Sequence, residues 1–260
     1  MSFSWSLPFL EPHTAGEEKY ALIILNQPFP LSLLQKLWST THWHCCADGG
    51  ANRLHDVLYD VTSASPSASE ADSRPKYLPN LILGDLDSLR DDVKSYYASQ
   101  DVTIAQDHDQ YSTDLMKCVQ ALIEKEQAEG CQYDIILLGG LSGRLDQTIH
   151  TLSYLYKLRK TRKRVFTVTE ENVAWILDSG EHKIHVNQAY LGITCGLLPV
   201  GIDSTVLTTT GLEWNLSDTD SCFDGMVSTS NHLVPGENVV TVKTSKPIIW
   251  TVELRVPALA

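Results

Sequence analysis

Residues 81–88 read Leu-Ile-Leu-Gly-Asp-Leu-Asp-Ser, and this stretch decides the fold. Its opening apolar run, Leu81–Leu83, reads as a strand, and the longer run Tyr20–Leu25 has the continuous apolar character of a strand buried on both faces, as in a parallel sheet covered by helices. The Leu81–Leu83 run stops at a glycine and two aspartates, just before Asp91–Ser99, which reads as a helix. The same order recurs outward in both directions. Tyr20–Leu25 (YALIIL) leads to Asn26-Gln27-Pro28 and a helix near Pro30–Ser39. His42–Ala47 leads to Asp48-Gly49-Gly50 and a helix over Ala51–Leu58. Val102–Ala105 precedes a helix over Ser112–Gln127, and Asp134–Leu138 runs into Gly139-Gly140 and a helix from Asp146 towards Lys160. Strand alternating with helix predicts an α/β region with a mainly parallel sheet and helices on both faces. In such sheets ligands sit beyond the carboxyl ends of the strands, where this chain places its Gly and Asp residues.

After residue 164 the texture changes. Val165–Val168, Val173–Leu177, His182–Val186, Tyr190–Leu197, Ser204–Thr209, Gly225–Ser230, Val239–Thr244 and Ile248–Leu254 are short β-type runs separated by turn residues. They predict a C-terminal all-β domain, a sandwich or flattened barrel. The boundary falls near residues 162–172, giving domains of 1–165 and 166–260. Residues 62–75 (TSASPSASEADSRP) read as a surface loop.

The 260 residues carry 20 Lys+Arg against 32 Asp+Glu, a formal charge of −12. No net positive field draws in nucleic acid, so a nucleic-acid partner is not expected. The basic run Lys157–Arg164 reads as a solvated helix C-terminus. No apolar run is long enough to cross a membrane, and the N-terminal stretch lacks the basic start of a secretory signal. The six cysteines form no zinc-type spacing, and several lie in apolar runs. A reduced, cytoplasmic protein is expected.

Five segments put polar or Gly residues where a strand or loop meets a helix. Asn26-Gln27-Pro28 alone reads as a strand-end turn. In Asp48-Gly49-Gly50-Ala51-Asn52-Arg53 the glycines let backbone approach a ligand, and the helix start favours an anion; taken alone, a tight strand–helix turn capped by Asp48 is the plainer account. Asp85 and Asp87 at i and i+2 form an oxygen-rich pair suited to Mg²⁺, or cap the next helix. Asp107, Asp109 and Asp114 crowd one segment around Gln110 and Thr113, where capping accounts for only part. Gly139-Gly140-Leu141-Ser142-Gly143-Arg144-Leu145-Asp146-Gln147 has the character of a Gly-rich phosphate loop but matches neither common signature; Arg144 offers a fork to phosphate. In the β region, Trp175 and Trp250 read as core, while Trp214 is either core or a platform for a flat or cationic ligand.

Taken together, CADGGANRL, LGDLDS, DQYSTD with MKC, GGLSGRLDQ and TTTGLEWNL occur in the order found in the thiamin pyrophosphokinase family, which the chain resembles from residue 24 to its closing strand. Ser142 stands where the family usually has Gly or another small residue. The resemblance implies an α/β catalytic, ATP-binding domain over 1–165 and a β-sandwich thiamin-binding domain over 166–260. It implies a homodimer with sites at the subunit interface. The implied reaction moves a pyrophosphoryl group from ATP to the hydroxyl of thiamin, giving thiamin pyrophosphate and AMP, with Mg²⁺. On that basis Asp85, Asp87 and Asp114 would hold the metal, and Asp48 would help shape the acidic site. Gly49, Gly50, Asn52, Arg53, Thr113, Gly139, Gly140 and Arg144 would serve ATP. Gln110, Asp146, Trp214, Ser230 and Asn231 would serve thiamin. Either Asp87 or Asp114 could take the alcohol proton. An ADP-releasing phosphotransferase and a non-catalytic thiamin or nucleotide binder are the alternatives, and a binder would have no need of the aspartates.

Overall fold

A computed structural model describes residues 2–11, 18–64 and 72–256, with the side chains of 60–64 left aside. The chain packs as two units, Ala15–Gly143 and Met1–Thr14 with Arg144–Ala260. Strands and helices are numbered in chain order, so β1 (Ser2–Trp5) belongs to the second unit.

In the first unit, β2 (Tyr20–Ile24), β3 (Trp43–Ala47), β4 (Leu81–Gly84), β5 (Thr103–Gln106) and β6 (Asp134–Leu138) form a wholly parallel sheet in the order β6-β2-β3-β4-β5. All five residues of β2 are buried, which is why its sequence has no polar face. The connections are α1 (Leu31–Thr40), α2 (Gly50–Ala64), α3 (Asp91–Ser99) and α4 (Asp114–Glu129). The path steps from β2 through β3 and β4 to β5, then jumps back past β2 to β6. Right-handed crossovers therefore put α4 on the face opposite α1–α3. The reversal between β2 and β6 opens the sheet at its carboxyl edge, where β2, β3, β4 and β6 end in Asn26-Gln27, Asp48, Gly84-Asp85 and Gly139-Gly140. The stretch expected as a loop over 62–75 is helical through Ala64 and forms a 3-10 turn at Arg74–Lys76. Residues 65–71 lie outside the described residues.

The second unit opens with α5 (Leu145–Leu158) and continues through β7 (Val165–Val168), β8 (Asn172–Leu177), β9 (Gly180–His185), β10 (Leu191–Leu198), β11 (Thr205–Thr210), β12 (Thr219–Ser221), β13 (Ser228–His232), β14 (Val239–Thr244) and β15 (Ile248–Leu254). One layer runs β13-β10-β15-β8-β7 and the other β1-β9-β14-β11-β12. The layers meet through aromatic rings. Trp5 of β1 lies 5.7 Å from Trp175 of β8 and 6.3 Å from Phe166 of β7, and Trp175 lies 6.4 Å from Trp250. Trp175 and Trp250 are buried as expected. Burying side chains of this size is worth about 2–3 kcal/mol each, which holds the sandwich closed. The sequence pattern does not mark β1 as a strand. It pairs in parallel with β9, and the Trp5 indole N–H donates to His182 Nδ1 at 3.0 Å.

Candidate active site

The carboxyl edge of the first sheet gathers an acidic centre. Asp48 follows β3 and Asp85 follows β4, and these strands are neighbours with Ala47 paired to Leu83. Asp114 is the first residue of α4. One carboxylate oxygen from each of the three lies within 4.8 Å of the others. Gly84 permits this closeness: a Cβ there would sit 2.7 Å from Asp48 Cβ and 3.0 Å from Asp114 Oδ1. Gly50 has a similar duty, since a Cβ would stand 2.2 Å from the Ile24 carbonyl oxygen.

Backbone donors hold the trio. The Ser88 N–H donates to Asp48 Oδ2 at 3.0 Å, and the Asp85 N–H donates to Asp114 Oδ1 at 3.2 Å. Asp48 Oδ1, on a residue only 4% exposed, is buried without a hydrogen-bond partner. Asp48 also adopts a left-handed backbone, φ 43°, which Asp and Asn enter more readily than most residues with a side chain. Burial first, and then the Asp114 and Asp85 charges, push the Asp48 carboxyl above its ordinary range. Burial and Asp85 do the same to Asp114, partly offset by Lys117. A buried acceptor with no donor, next to two further carboxylates, is an unmet demand for positive charge. The all-oxygen donor set fits Mg²⁺.

Asp87 stands outside the trio. Leu86 takes φ 64°, the Asp87 N–H donates back to Asp85 Oδ1 at 3.2 Å, and the Asp87 side chain is exposed. Asn52 spends its amide on structure, donating to the Ser88 carbonyl at 2.7 Å and accepting from the Arg90 N–H at 3.1 Å. It thereby locks the loop after β3 to the loop after β4. Arg53 is exposed, with Nε donating to Asn26 Oδ1 at 2.9 Å. Thr113 caps α4 through its backbone, and its Oγ1 is buried without a partner. Gln110 is exposed beside Tyr111, which is 98% exposed.

Gln27 is the residue that sequence reasoning missed. Its Oε1 accepts from the Gly140 N–H at 2.7 Å and from the Ser142 hydroxyl and N–H at 2.8 and 3.3 Å. Its Nε2 donates to the Ser142 carbonyl at 2.6 Å. One carboxamide thus shapes the loop in which Gly139 and Gly140 take φ 100° and 93°. The only sequence signal was its place at a strand's carboxyl end.

In the second unit, Arg144 forms an exposed fork onto Asp146, with contacts of 2.6 and 3.1 Å. Trp214 is 54% exposed, and its ring lies 4.9 Å from His232. Asn231, 4% exposed, accepts from the Trp214 N–H at 3.3 Å and donates to its carbonyl at 2.8 Å, so it holds Trp214 in place. Ser230 lines a cavity of about 380 Å³ with Asn172, Cys195, Thr251 and Glu253; Trp214 is not part of its wall.

Residues 34–167 match the family model described as thiamin pyrophosphokinase, catalytic domain, and residues 181–249 match thiamin pyrophosphokinase, vitamin B1 binding domain. The chain is 36% identical to thiamine pyrophosphokinase 3 of Oryza sativa subsp. japonica, over 91% of this chain and 87% of the relative. It is 32% identical to thiamine pyrophosphokinase of Saccharomyces cerevisiae, over 95% and 89%. The crystal structure of the yeast enzyme superposes with a TM-score of 0.82 at 30% identity, covering 99% of this chain and 92% of that one. Thiamin pyrophosphokinase from Candida albicans gives 0.83 at 25% identity, covering 98% and 93%. The chain is therefore an enzyme that belongs to the thiamin pyrophosphokinase family.

Proposed function

We propose that the enzyme transfers a pyrophosphoryl group from ATP to the hydroxyl of thiamin, giving thiamin pyrophosphate and AMP, and that it requires Mg²⁺. The observation that carries this reading is the carboxylate trio with its partnerless buried oxygen, Asp48 Oδ1. Asp48, Asp85 and Asp114 would hold the ion, which supplies charge neutralisation at the phosphate oxygens.

The remaining residues bind and orient. The Gly49-Gly50 turn, Arg53, Thr113, the Gly139-Gly140 loop and Arg144 receive the nucleotide, with Asn52 and Gln27 fixing the loops. Gln110, Asp146, Ser230 and Trp214 receive thiamin, and Asn231 holds Trp214. An aromatic face suits a cationic thiazolium. In the reaction the thiamin hydroxyl oxygen attacks the β-phosphorus of ATP. The bond from that phosphorus to the oxygen bridging the α-phosphate breaks, and AMP leaves with the electron pair. Asp87, exposed and outside the trio, takes the hydroxyl proton. Alignment of alcohol and phosphorus supplies the rest of the rate.

We further propose a cytoplasmic homodimer in which the α/β unit of one protomer and the β-rich unit of the other complete each site. No helix among the described residues is long and apolar enough to cross a membrane.

Product analysis tests the reaction. Purified enzyme with ATP, thiamin and Mg²⁺ should yield AMP and thiamin pyrophosphate in equal amounts, both lost on chelation. ADP with thiamin monophosphate would move the attack to the γ-phosphorus. Thiamin binding without product would leave only a binder.

A further inference from the structure

We propose that Lys117 is the positioning residue of the acidic trio, holding Asp114 and the loop after β5 in register with the end of β4. Lysine is almost never fully buried unless its charge is paired, and Lys117 is only 5% exposed. It lies in the first turn of α4, three residues beyond Asp114, and its ammonium points back to the site. Nζ donates to the Asp107 carbonyl at 2.8 Å and contacts Asp114 Oδ1 at 3.5 Å. The same Oδ1 accepts the Asp85 N–H at 3.2 Å. The Asp107 N–H in turn donates to the Gly84 carbonyl at 2.8 Å. One buried ammonium therefore joins α4, the loop after β5 and the carboxyl end of β4, the elements that present Asp114 and Asp85.

Two roles for such a cation predict opposite signs. Lys117 and a divalent ion repel each other, so a mere counter-charge would weaken metal binding, and removing it would tighten the site. A positioning group does the reverse: without it Asp114 and the loop lose their fixed arrangement, and metal binding weakens. The three contacts on Asp114 Oδ1 and the Asp107 carbonyl favour positioning.

The inference rests on the metal reading of the trio given above. Its test is Mn²⁺ titration of the full chain without nucleotide or thiamin, reading free Mn²⁺ by paramagnetic resonance. Melting of the metal-free protein serves as the fold control. Lys117→Gln should weaken Mn²⁺ binding by about tenfold or more, and Lys117→Arg should recover most of the loss, as expected when a group behind a metal ligand is removed and restored. The Mg²⁺ concentration for half-maximal turnover should move the same way. Unchanged or tighter Mn²⁺ binding in Lys117→Gln overturns the proposal, as does wild-type protein that binds no Mn²⁺. If Lys117→Gln does not fold, Lys117→Met takes its place, and failure of both to fold assigns Lys117 to the fold alone. Wild-type protein that binds Mn²⁺ yet forms no thiamin pyrophosphate would sink the reaction and leave this inference standing.

Discussion

Replacing Asp48 by Asn should make the metal-free protein more stable while removing the divalent-ion site proposed above. The trio places three carboxylate oxygens within 4.8 Å, and among the described residues Lys117 pairs with Asp114. At an effective dielectric of about 20, two charges at that separation repel by about 3 kcal/mol. Asp85 and Asp114 are half-buried, so water absorbs most of this, and a net gain of about 1 kcal/mol is expected. For a chain of this size that is about 3 °C in melting temperature. Asn keeps the acceptor for the Ser88 N–H, brings a donor to the two remaining carboxylates, and tolerates the left-handed backbone at φ 43°. The pH dependence has a definite sign. Burial and the neighbouring charges raise the folded carboxyl above its unfolded value, so the folded state binds the proton more readily. The stability linked to this group is present below about pH 4 and is lost as pH rises through the folded value. The melting advantage of Asp48→Asn should therefore be small near pH 4 and full at pH 7. The assay is thermal melting by circular dichroism across this range, with and without Mg²⁺. Mg²⁺ should raise the wild-type midpoint and leave the variant unmoved. A variant less stable than wild type at pH 7 without metal, or an advantage independent of pH, would refute the reasoning.

Gly84→Ala places a methyl against Asp48 and Asp114, and should cut turnover by about tenfold or more with a higher Mg²⁺ requirement; a wild-type Mg²⁺ titration would show that the trio tolerates spreading. Gln27→Ala frees the 139–142 loop and should raise KM for ATP by about tenfold while KM for thiamin holds, since each lost hydrogen bond is worth about 1 kcal/mol. Trp214→Ala should chiefly raise KM for thiamin, and unchanged thiamin affinity by calorimetry would remove the stacking role. Asp87→Asn should lower kcat with Mn²⁺ binding intact, whereas parallel loss of both would return Asp87 to the metal site.

Much of the fold was legible because burial on both faces leaves an unmistakable record. YALII is buried throughout and DIILL is buried after its first residue, Asp134; the chain then turns at Asn26 after the first and at Gly139 after the second. The sandwich was legible as a change of texture, but β1 was not. Its four residues alternate weakly, and the partner strand lies far along the chain, at Glu181–Ile184. The end of α2 was hidden for another reason: Thr62-Ser63-Ala64 has loop-like composition, yet it continues a helix begun by Leu54 and Leu58 on the buried face.

The acidic centre shows where local reading stops. The i, i+2 spacing pairs Asp85 with Asp87, and an extended loop would indeed aim both the same way. Leu86 at φ 64° breaks that alternation and turns Asp87 outward. What replaces it is Asp48, which is adjacent to Asp85 only because β3 and β4 are neighbours in a parallel sheet. Strand order, not spacing, thus selects which carboxylates converge. The same holds for Gln27, which reaches the loop after β6 because β2 and β6 are paired across the point where the winding reverses. A parallel sheet lines up the carboxyl ends of strands distant in sequence. Residues that look like separate turns then become one site, and strain at Asp48 and Leu86 is tolerated because both neighbouring strands hold it in place.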